Sequence, residues 1–148
     1  MVESSREDSR IQILLAVFSG AQYLEEQIES LRAQTYSDWE LLISDDGSSD
    51  GSLEIIDYYC NLDSRIYLVL DGIVAGSAKR NLFNLLGLAK ADYVMFCDQD
   101  DVWDENKIEV TLNRMREVES RNSGMPILVS TDLRVVDQNQ SAYSGHLC

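Results

Sequence analysis

The chain has 148 residues, with 26 Asp or Glu against 12 Lys or Arg, so its formal net charge is −14. This acidity argues against binding to nucleic acid or to an anionic membrane surface without specific contacts. A hydrophobic content of 45% with a single proline is typical of a globular domain and excludes a disordered chain. No apolar run approaches the ~20 residues that a membrane span needs.

Localisation follows from the N-terminus and the cysteines. The first ten residues are polar and do not resemble a signal peptide. The three cysteines have no metal-site spacing, which is typical of reduced thiols in the cytoplasm. We therefore expect a cytoplasmic protein, either free or peripheral at the inner face of the membrane.

Periodicity predicts an alternation of strands and helices along the chain. Residues 1–10 are expected to be a flexible lead-in to a single domain, residues 11–148. Apolar runs predict strands, and a 3.6-residue period predicts helices, in this order: strand 11–18, helix from 21, strand 39–44, helix 52–60, strand 65–70, helix 77–90, strand 93–97, helix 104–119 and strand 127–131. Such alternation indicates an α/β fold with a mostly parallel sheet between two layers of helices, a three-layer α/β/α sandwich.

Polar clusters follow three of the predicted strands, at residues 18–20, 45–51 and 98–101. Ligands of open parallel sheets bind beyond the carboxyl ends of the strands, so one site is expected to gather all three clusters. In the last cluster Asp98, Asp100 and Asp101 repel one another unless a cation offsets their charge. A divalent metal with oxygen ligands would do so, and a solvated acidic turn that caps a helix is the alternative.

The second cluster and one basic pair each have more than one interpretation. Asp45 and Asp46 can accept hydrogen bonds from a bound base or sugar, or can belong to a plain turn. A third reading is a calcium loop, with ligand positions at Asp46, Ser48, Asp50, Gly51 and Asp57, although strand-like residues precede it. Lys79 and Arg80 at a predicted helix start suit a phosphate, or are two solvated cations.

Four segments carry a resemblance to a known family: residues 23–36, 39–51, 76–82 and 98–103. In this order they resemble the first helix, the acidic post-strand segment, the glycine-led helix start and the metal motif of family 2 glycosyltransferases, which have the GT-A (Rossmann-like) fold. The last segment, Asp-Gln-Asp-Asp-Val-Trp, resembles the rhamnosyltransferase-like branch, whose pattern extends into residues 131–137. The resemblance spans residues 11–137.

The resemblance implies the N-terminal, nucleotide-binding half of an inverting transferase. Such an enzyme moves a sugar, in this branch rhamnose, from a dTDP- or UDP-sugar to a hydroxyl of an acceptor glycan or lipid-linked sugar during cell-surface polysaccharide synthesis. Asp98 and Asp100, the DxD motif, would hold Mg²⁺ or Mn²⁺. Nucleotide-sugar contacts are implied for Ala16, Phe18, Asp45, Asp46, Lys79, Arg80 and Asp98.

The chain departs from the family pattern at two loops and in length. Val17-Phe18-Ser19-Gly20 stands where the family has Thr-Tyr-Asn-Gly, and Ile73-Val74-Ala75 replaces a glycine–asparagine lead. The chain is expected to be truncated before the acceptor-binding half, so the catalytic base is expected beyond its end. The alternatives are a catalytically incomplete nucleotide-binding module and a receiver-like or calcium-binding signalling domain, and both a monomer and a homo-oligomer stay open.

Overall fold

A computed structural model describes residues 10–69, 74–132 and 134–135. Outside these residues lie positions 1–9 of the predicted lead-in, position 70 at the end of the predicted third strand, Ile73 of the second departure, and positions 133, 136 and 137 of the 131–137 segment. The described secondary structure comprises β1 (Ile11–Val17), α1 (Ala21–Arg32), β2 (Trp39–Asp45), α2 (Ser52–Leu62), β3 (Ile66–Leu68), α3 (Ala78–Leu88), β4 (Tyr93–Cys97) and α4 (Lys107–Arg121).

The chain divides into two compact units, Met1–Ile108 and Glu109–Cys148. The first unit contains the whole described sheet. In the second, the described residues continue α4 to Arg121 and then have no regular secondary structure. No helix among the described residues combines the length and hydropathy of a membrane span.

The four strands are parallel and lie in the order β3-β2-β1-β4. The chain first builds outward from β1 through β2 to β3 and then returns to place β4 on the other side of β1. The direction of winding therefore reverses between β1 and β4. Such a switch point leaves a crevice at the carboxyl ends of the two strands, where ligands of α/β sheets bind.

Both faces of the sheet are covered, as an α/β/α sandwich requires. On one face Leu14 and Leu42 pack with Leu85 of α3. Side chains alternate along a strand, so the neighbouring residues of β1 and β2 point to the opposite face, where α1 and α2 lie. That side is fully buried and includes Ile13, Leu15, Leu41, Ile43, Leu24, Ile28, Leu31 and Ile56. The predicted fold class is confirmed.

One strand prediction was wrong in burial and another in existence. The apolar run at residues 93–97 is typical of a strand buried on both faces, but β4 is an edge strand of the described sheet, and Phe96 is 48% exposed. Residues 127–131 form no strand, and Leu128 is 85% exposed. Both segments, residues 93–97 and 127–131, are rich in residues that favour strands. Pairing and burial depend on how many strands lie alongside, which local sequence does not encode.

Asp63, at the end of α2, and Trp39, at the start of β2, both contact the side chain of Arg65. Nε and Nη2 of Arg65 donate to the two carboxylate oxygens of Asp63 at 3.0 and 2.7 Å. The same guanidinium lies 3.8 Å from the ring centroid of the buried Trp39. Because these bonds stabilise the ionised form, the pKa of Asp63 falls to about 2.

We expect Asp63→Asn to lower the free energy of unfolding by about 1–2 kcal/mol at neutral pH. The folded-state pKa is depressed, so the contribution is complete above the unfolded pKa of 3.8 and is lost as the pH falls towards about 2. Urea unfolding between about pH 7 and pH 3 should show the two proteins converging. Asp57→Asn, at an exposed position of α2, is the matched control. A gap that stayed constant with pH would contradict the assignment.

Candidate active site

The three predicted polar clusters meet at the carboxyl edge of the sheet. Residues 18–20 follow β1, residues 45–51 follow β2, and residues 98–101 follow β4. The backbone N–H of Asp46 donates to the carbonyl of Val17 at 2.8 Å, which continues the pairing of β1 with β2. Because β1 lies between β2 and β4, the loop at residues 18–20 contacts both of the others.

Side chains of the second loop receive the backbone N–H groups that open α1. Ser19 N donates to Oγ of Ser48 at 2.9 Å, and Gly20 N donates to Oγ of Ser52 at 3.0 Å. Ala21 N donates to the carboxylate of Asp50 at 3.0 Å. The first N–H groups of a helix have no partner within it, so the 48–52 segment caps α1 from outside.

The carboxylate of Asp50 joins the starts of two helices. Its Oδ1 accepts from both the N–H and the hydroxyl of Ser52 at the start of α2, and its Oδ2 caps α1. These bonds lower the pKa of Asp50. The hydrogen bond from the Ser52 hydroxyl contributes most, and the bond from the N–H of Ala21 comes next. Carboxylate oxygens bonded in this way are not directed at an ion, and the preceding residues form β2. The calcium-loop interpretation was therefore wrong.

Asp45 and Asp46 have different surroundings. Oδ1 of the buried Asp46 accepts from the backbone N–H groups of Ala75 and Gly76, which ties the loop before α3 to the end of β2. Oδ2 of Asp45 accepts from the N–H groups of Gly47 and Ser48. Its Oδ1 is buried and, within the part of the chain that the structure describes, has no hydrogen-bond partner.

The start of α3 lies at the same edge. The buried side chain of Asn81 donates to the carbonyl of Ser44 at 2.9 Å, and Ser77 caps the helix by accepting from Arg80 N. Lys79 and Arg80 are exposed in its first turn. Ala16 lies half-buried in β1, opposite Ser44 in the sheet register. The predicted contact residues therefore lie on elements that converge at this edge, although Asp46 holds its own loop.

The acidic loop after β4 has two exposed carboxylates on either side of a half-buried glutamine. Asp98 and Asp100 are exposed, and Gln99 lies between them. Partial burial raises the pKa of Asp101, and the charges of Asp98 and Asp100 raise it further, while Lys107 opposes them. The carboxylates are thus close enough to repel one another, which a bound cation would offset.

These carboxylates are suitable ligands for a hard cation, but they do not form a complete binding site for one. No set of three or more His, Cys, Asp or Glu side chains within residues 10–69 and 74–132 is arranged to hold a metal ion. Mg²⁺ usually takes only one or two protein carboxylates and completes its shell with water and substrate phosphate oxygens. Asp98 and Asp100 fit that pattern. A divalent ion held by these two carboxylates would need further oxygen ligands from water or from a bound phosphate group.

A buried row of polar side chains, on α1 and just beyond its C-terminal end, supports the segment after the acidic loop. Ser30 Oγ accepts from Trp103 N at 3.1 Å. Gln34 donates to the carbonyl of Asp104 at 2.7 Å and accepts from Ile108 N at 3.0 Å. Gln27 donates to the thiol of Cys97, whose pKa burial raises to about 12. Sequence reasoning missed this row, although Gln27 and Ser30 interrupt the apolar stripe of α1 at helical spacing and Gln34 follows just after the helix ends.

Relatives of known name share this part of the chain. TuaG of Bacillus subtilis (strain 168), a protein named for teichuronic acid biosynthesis, is 32% identical over 108 residues, which are 72% of this chain and 42% of TuaG. The Escherichia coli UDP-Glc:alpha-D-GlcNAc-diphosphoundecaprenol beta-1,3-glucosyltransferase WfgD is 32% identical over 111 residues, 74% of this chain and 42% of WfgD. This chain thus spans less than half the length of either relative.

Solved structures agree on the fold. Residues 1–349 of TarS from S. aureus, crystallised in complex with UDP, give a TM-score of 0.65 at 22% identity, covering 73% of this chain and 32% of that one. The mannosyltransferase PcManGT from Pyrobaculum calidifontis, in complex with GDP-Man and Mn²⁺, gives 0.58 at 22% identity, covering 66% and 29%. At this identity the likeness shows the fold alone, which is that of the GT-A glycosyltransferases.

The family model described as Glycosyl transferase family 2 matches residues 12–141, nearly the whole chain. The match includes every residue of the site at the carboxyl edge of the sheet. The chain belongs to glycosyl transferase family 2.

Proposed function

We propose that this chain is the donor-binding part of a metal-dependent, inverting glycosyltransferase that uses a UDP- or dTDP-sugar. The observation that carries the proposal is the meeting of the loops after β1, β2 and β4 at the switch point of the sheet. A nucleotide is long enough to contact all three loops, whereas a phosphoryl group alone would contact one. Family membership supplies the reaction class.

The residues divide by chemistry along the length of a nucleotide sugar. Asp45 is the better candidate for the base, because a donor from the ligand would satisfy its unpartnered Oδ1. Phe18 is 58% exposed, so its ring is free to stack on that base. Lys79 and Arg80, with the N-terminus of α3, would face the diphosphate.

At the other end of the ligand, Asp98 and Asp100 would hold Mg²⁺ or Mn²⁺, which neutralises negative charge on the diphosphate when bound. In the transfer, the acceptor oxygen forms a bond to the anomeric carbon as the bond to the nucleoside diphosphate breaks. The hydroxyl proton passes to a base, which we assign to no residue of this chain. The described residues bind and orient the donor, and the charges of Lys79 and Arg80 favour departure of the diphosphate.

We place the acceptor among glycans and lipid-linked sugars of cell-surface polysaccharide synthesis. The support is the name of WfgD, whose acceptor is a sugar on diphosphoundecaprenol, and the naming of TuaG for teichuronic acid biosynthesis. An acceptor of this kind lies at a membrane surface, so peripheral association of the whole protein belongs to the same proposal. Rhamnose is the sugar that the Asp-Gln-Asp-Asp-Val-Trp motif favours.

Calorimetric titration of the chain with UDP and with dTDP, each with and without Mn²⁺, tests the proposal. We expect one of the two nucleotides to bind with a dissociation constant of about 10–100 µM in the presence of Mn²⁺ and at least about tenfold more weakly without it. ADP in the same buffer controls for binding of any diphosphate–metal complex. A folded chain that binds neither UDP nor dTDP would overturn the proposal.

A further inference from the structure

The side chain of Gln99 joins two loops that are far apart in sequence. Its Oε1 accepts from Phe18 N at 2.9 Å, and its Nε2 donates to the carbonyl of Phe18 at 3.1 Å. One primary amide thus satisfies both backbone groups of a single residue, as a neighbouring strand would. The paired register of β1 with β4 ends at Leu15 and Cys97, so this amide bridges the gap beyond the last strand pair.

Gly20 leaves the space that this amide occupies. A Cβ at Gly20 would lie 2.5 Å from Oε1 and 2.7 Å from Cδ of Gln99, closer than any real contact. The φ angle of Gly20 is −103°, which alanine also adopts, so glycine is required here by the close approach and not by backbone conformation. Two positions therefore cooperate in one contact.

The contact joins the loop of two exposed carboxylates to the loop of an exposed aromatic ring. Gln99 is flanked by Asp98 and Asp100, and its partner Phe18 has an exposed ring beside the switch point. The next residue, Ser19, has a φ of +50°, which is unfavourable for a non-glycine residue. An external contact is needed to hold a loop in such a conformation, and the amide of Gln99 supplies two hydrogen bonds to it.

We propose that Gln99 is a positioning residue that fixes the distance between the aromatic contact at Phe18 and the carboxylates of Asp98 and Asp100. The inference depends on the proposed function, because the groups it positions are those that would hold the base and the metal–diphosphate end of one donor. A ligand that contacts both loops binds tightly only if their spacing is set beforehand. Gln99 itself touches no reacting atom.

Two substitutions approach the contact from opposite sides. Gln99→Ala removes the amide, and Gly20→Ala displaces it while Gln99 is retained. We expect each to weaken Mn²⁺-dependent UDP or dTDP binding by at least ~10-fold. The double variant should bind no more weakly than either single variant, because both remove the same contact. Gln99→Glu, of equal size, should resemble Gln99→Ala, because a carboxylate repels the carbonyl of Phe18.

A readout without ligand separates this inference from the proposed function. Hydrogen exchange of the Phe18 amide should accelerate at least ~10-fold in Gln99→Ala and Gly20→Ala while the amides of the β1–β2 pairing keep their protection. Gln22→Ala, at an exposed glutamine of α1, should change neither exchange nor binding. Thermal unfolding of each variant confirms that it is folded.

The outcomes divide cleanly. If a folded Gln99→Ala variant binds nucleotide as tightly as the wild-type protein does, the positioning role is overturned and the proposed function is left intact. Losses that add in the double variant, or unchanged exchange at Phe18, also overturn it. Wild-type protein that binds no nucleotide overturns the proposed function and this inference together.

Discussion

Asp100→Asn is expected to weaken UDP or dTDP binding in Mn²⁺ by about 100-fold, to the level that the wild-type protein shows in a chelator. The substitution keeps the size of the side chain but removes one of two exposed carboxylates in the acidic loop. No set of three acidic, cysteine or imidazole side chains in the described residues is arranged to hold an ion, so Asp98 would be left as the single charged protein ligand. Calorimetry with and without Mn²⁺ measures the change.

The matched control is Asp92→Asn, an exposed aspartate just before β4 and so at the opposite edge of the sheet. It changes the net charge by the same amount and should leave the metal dependence intact. If both variants lost affinity equally, the effect would be one of overall charge. If Asp100→Asn bound as the wild type does, Asp100 would not be a metal ligand.

Gln34→Leu is expected to lower the free energy of unfolding by about 2–4 kcal/mol. The amide of Gln34 is buried and bonds the Asp104 carbonyl and the Ile108 N–H, beyond the acidic loop. Leucine has a similar volume but leaves two backbone groups without these bonds: the N–H of Ile108 and the carbonyl of Ser30, which accepts from the same amide at 3.2 Å. The carbonyl of Asp104 still accepts from Lys107 N, so the cost comes from the other two groups, because burying unpaired polar groups is costly. Urea unfolding followed by circular dichroism measures the loss.

Gln22→Leu in α1 is the control, because Gln22 is exposed and its replacement should change stability by about 0.5 kcal/mol or less. Equal losses in the two variants would mean that the buried hydrogen bonds of Gln34 are not the cause. A stable Gln34→Leu variant would mean that water takes over the bonds of the amide. In that case the buried polar row would contribute little to holding the 103–108 segment.

The elements with strong local signals were predictable from sequence. β1 and β2 are mainly apolar runs, and glycine- and serine-rich loops mark their ends. Both strands were confirmed close to their predicted bounds. The location of the site was also predictable, because parallel strands bring their carboxyl ends to one edge. The order of the strands, and with it the edge position of β4, depends on pairings across the whole chain and was not.

The hydrogen bonds within the site were not predictable from sequence. No local pattern shows that Oδ1 of Asp46 accepts from the loop before α3, or that Asp50 bonds the starts of both α1 and α2. Gln99 is an ordinary polar residue between two aspartates, and its role becomes visible only when Phe18 and Gly20 are placed beside it. Loop residues far apart in sequence determine these contacts, so no local pattern encodes them.

The pairing of Phe18 with Gln99 closes a loop of 81 residues, which has a consequence for the order of folding. Contacts of such sequence separation form late, since the chain entropy lost on closure must first be offset by local structure. A chain emerging from the ribosome would complete the β1–β2 pair long before β4 arrives. A nucleotide that requires both loops would then bind only after β4 has docked, and by mass action would stabilise the four-stranded arrangement over every earlier intermediate.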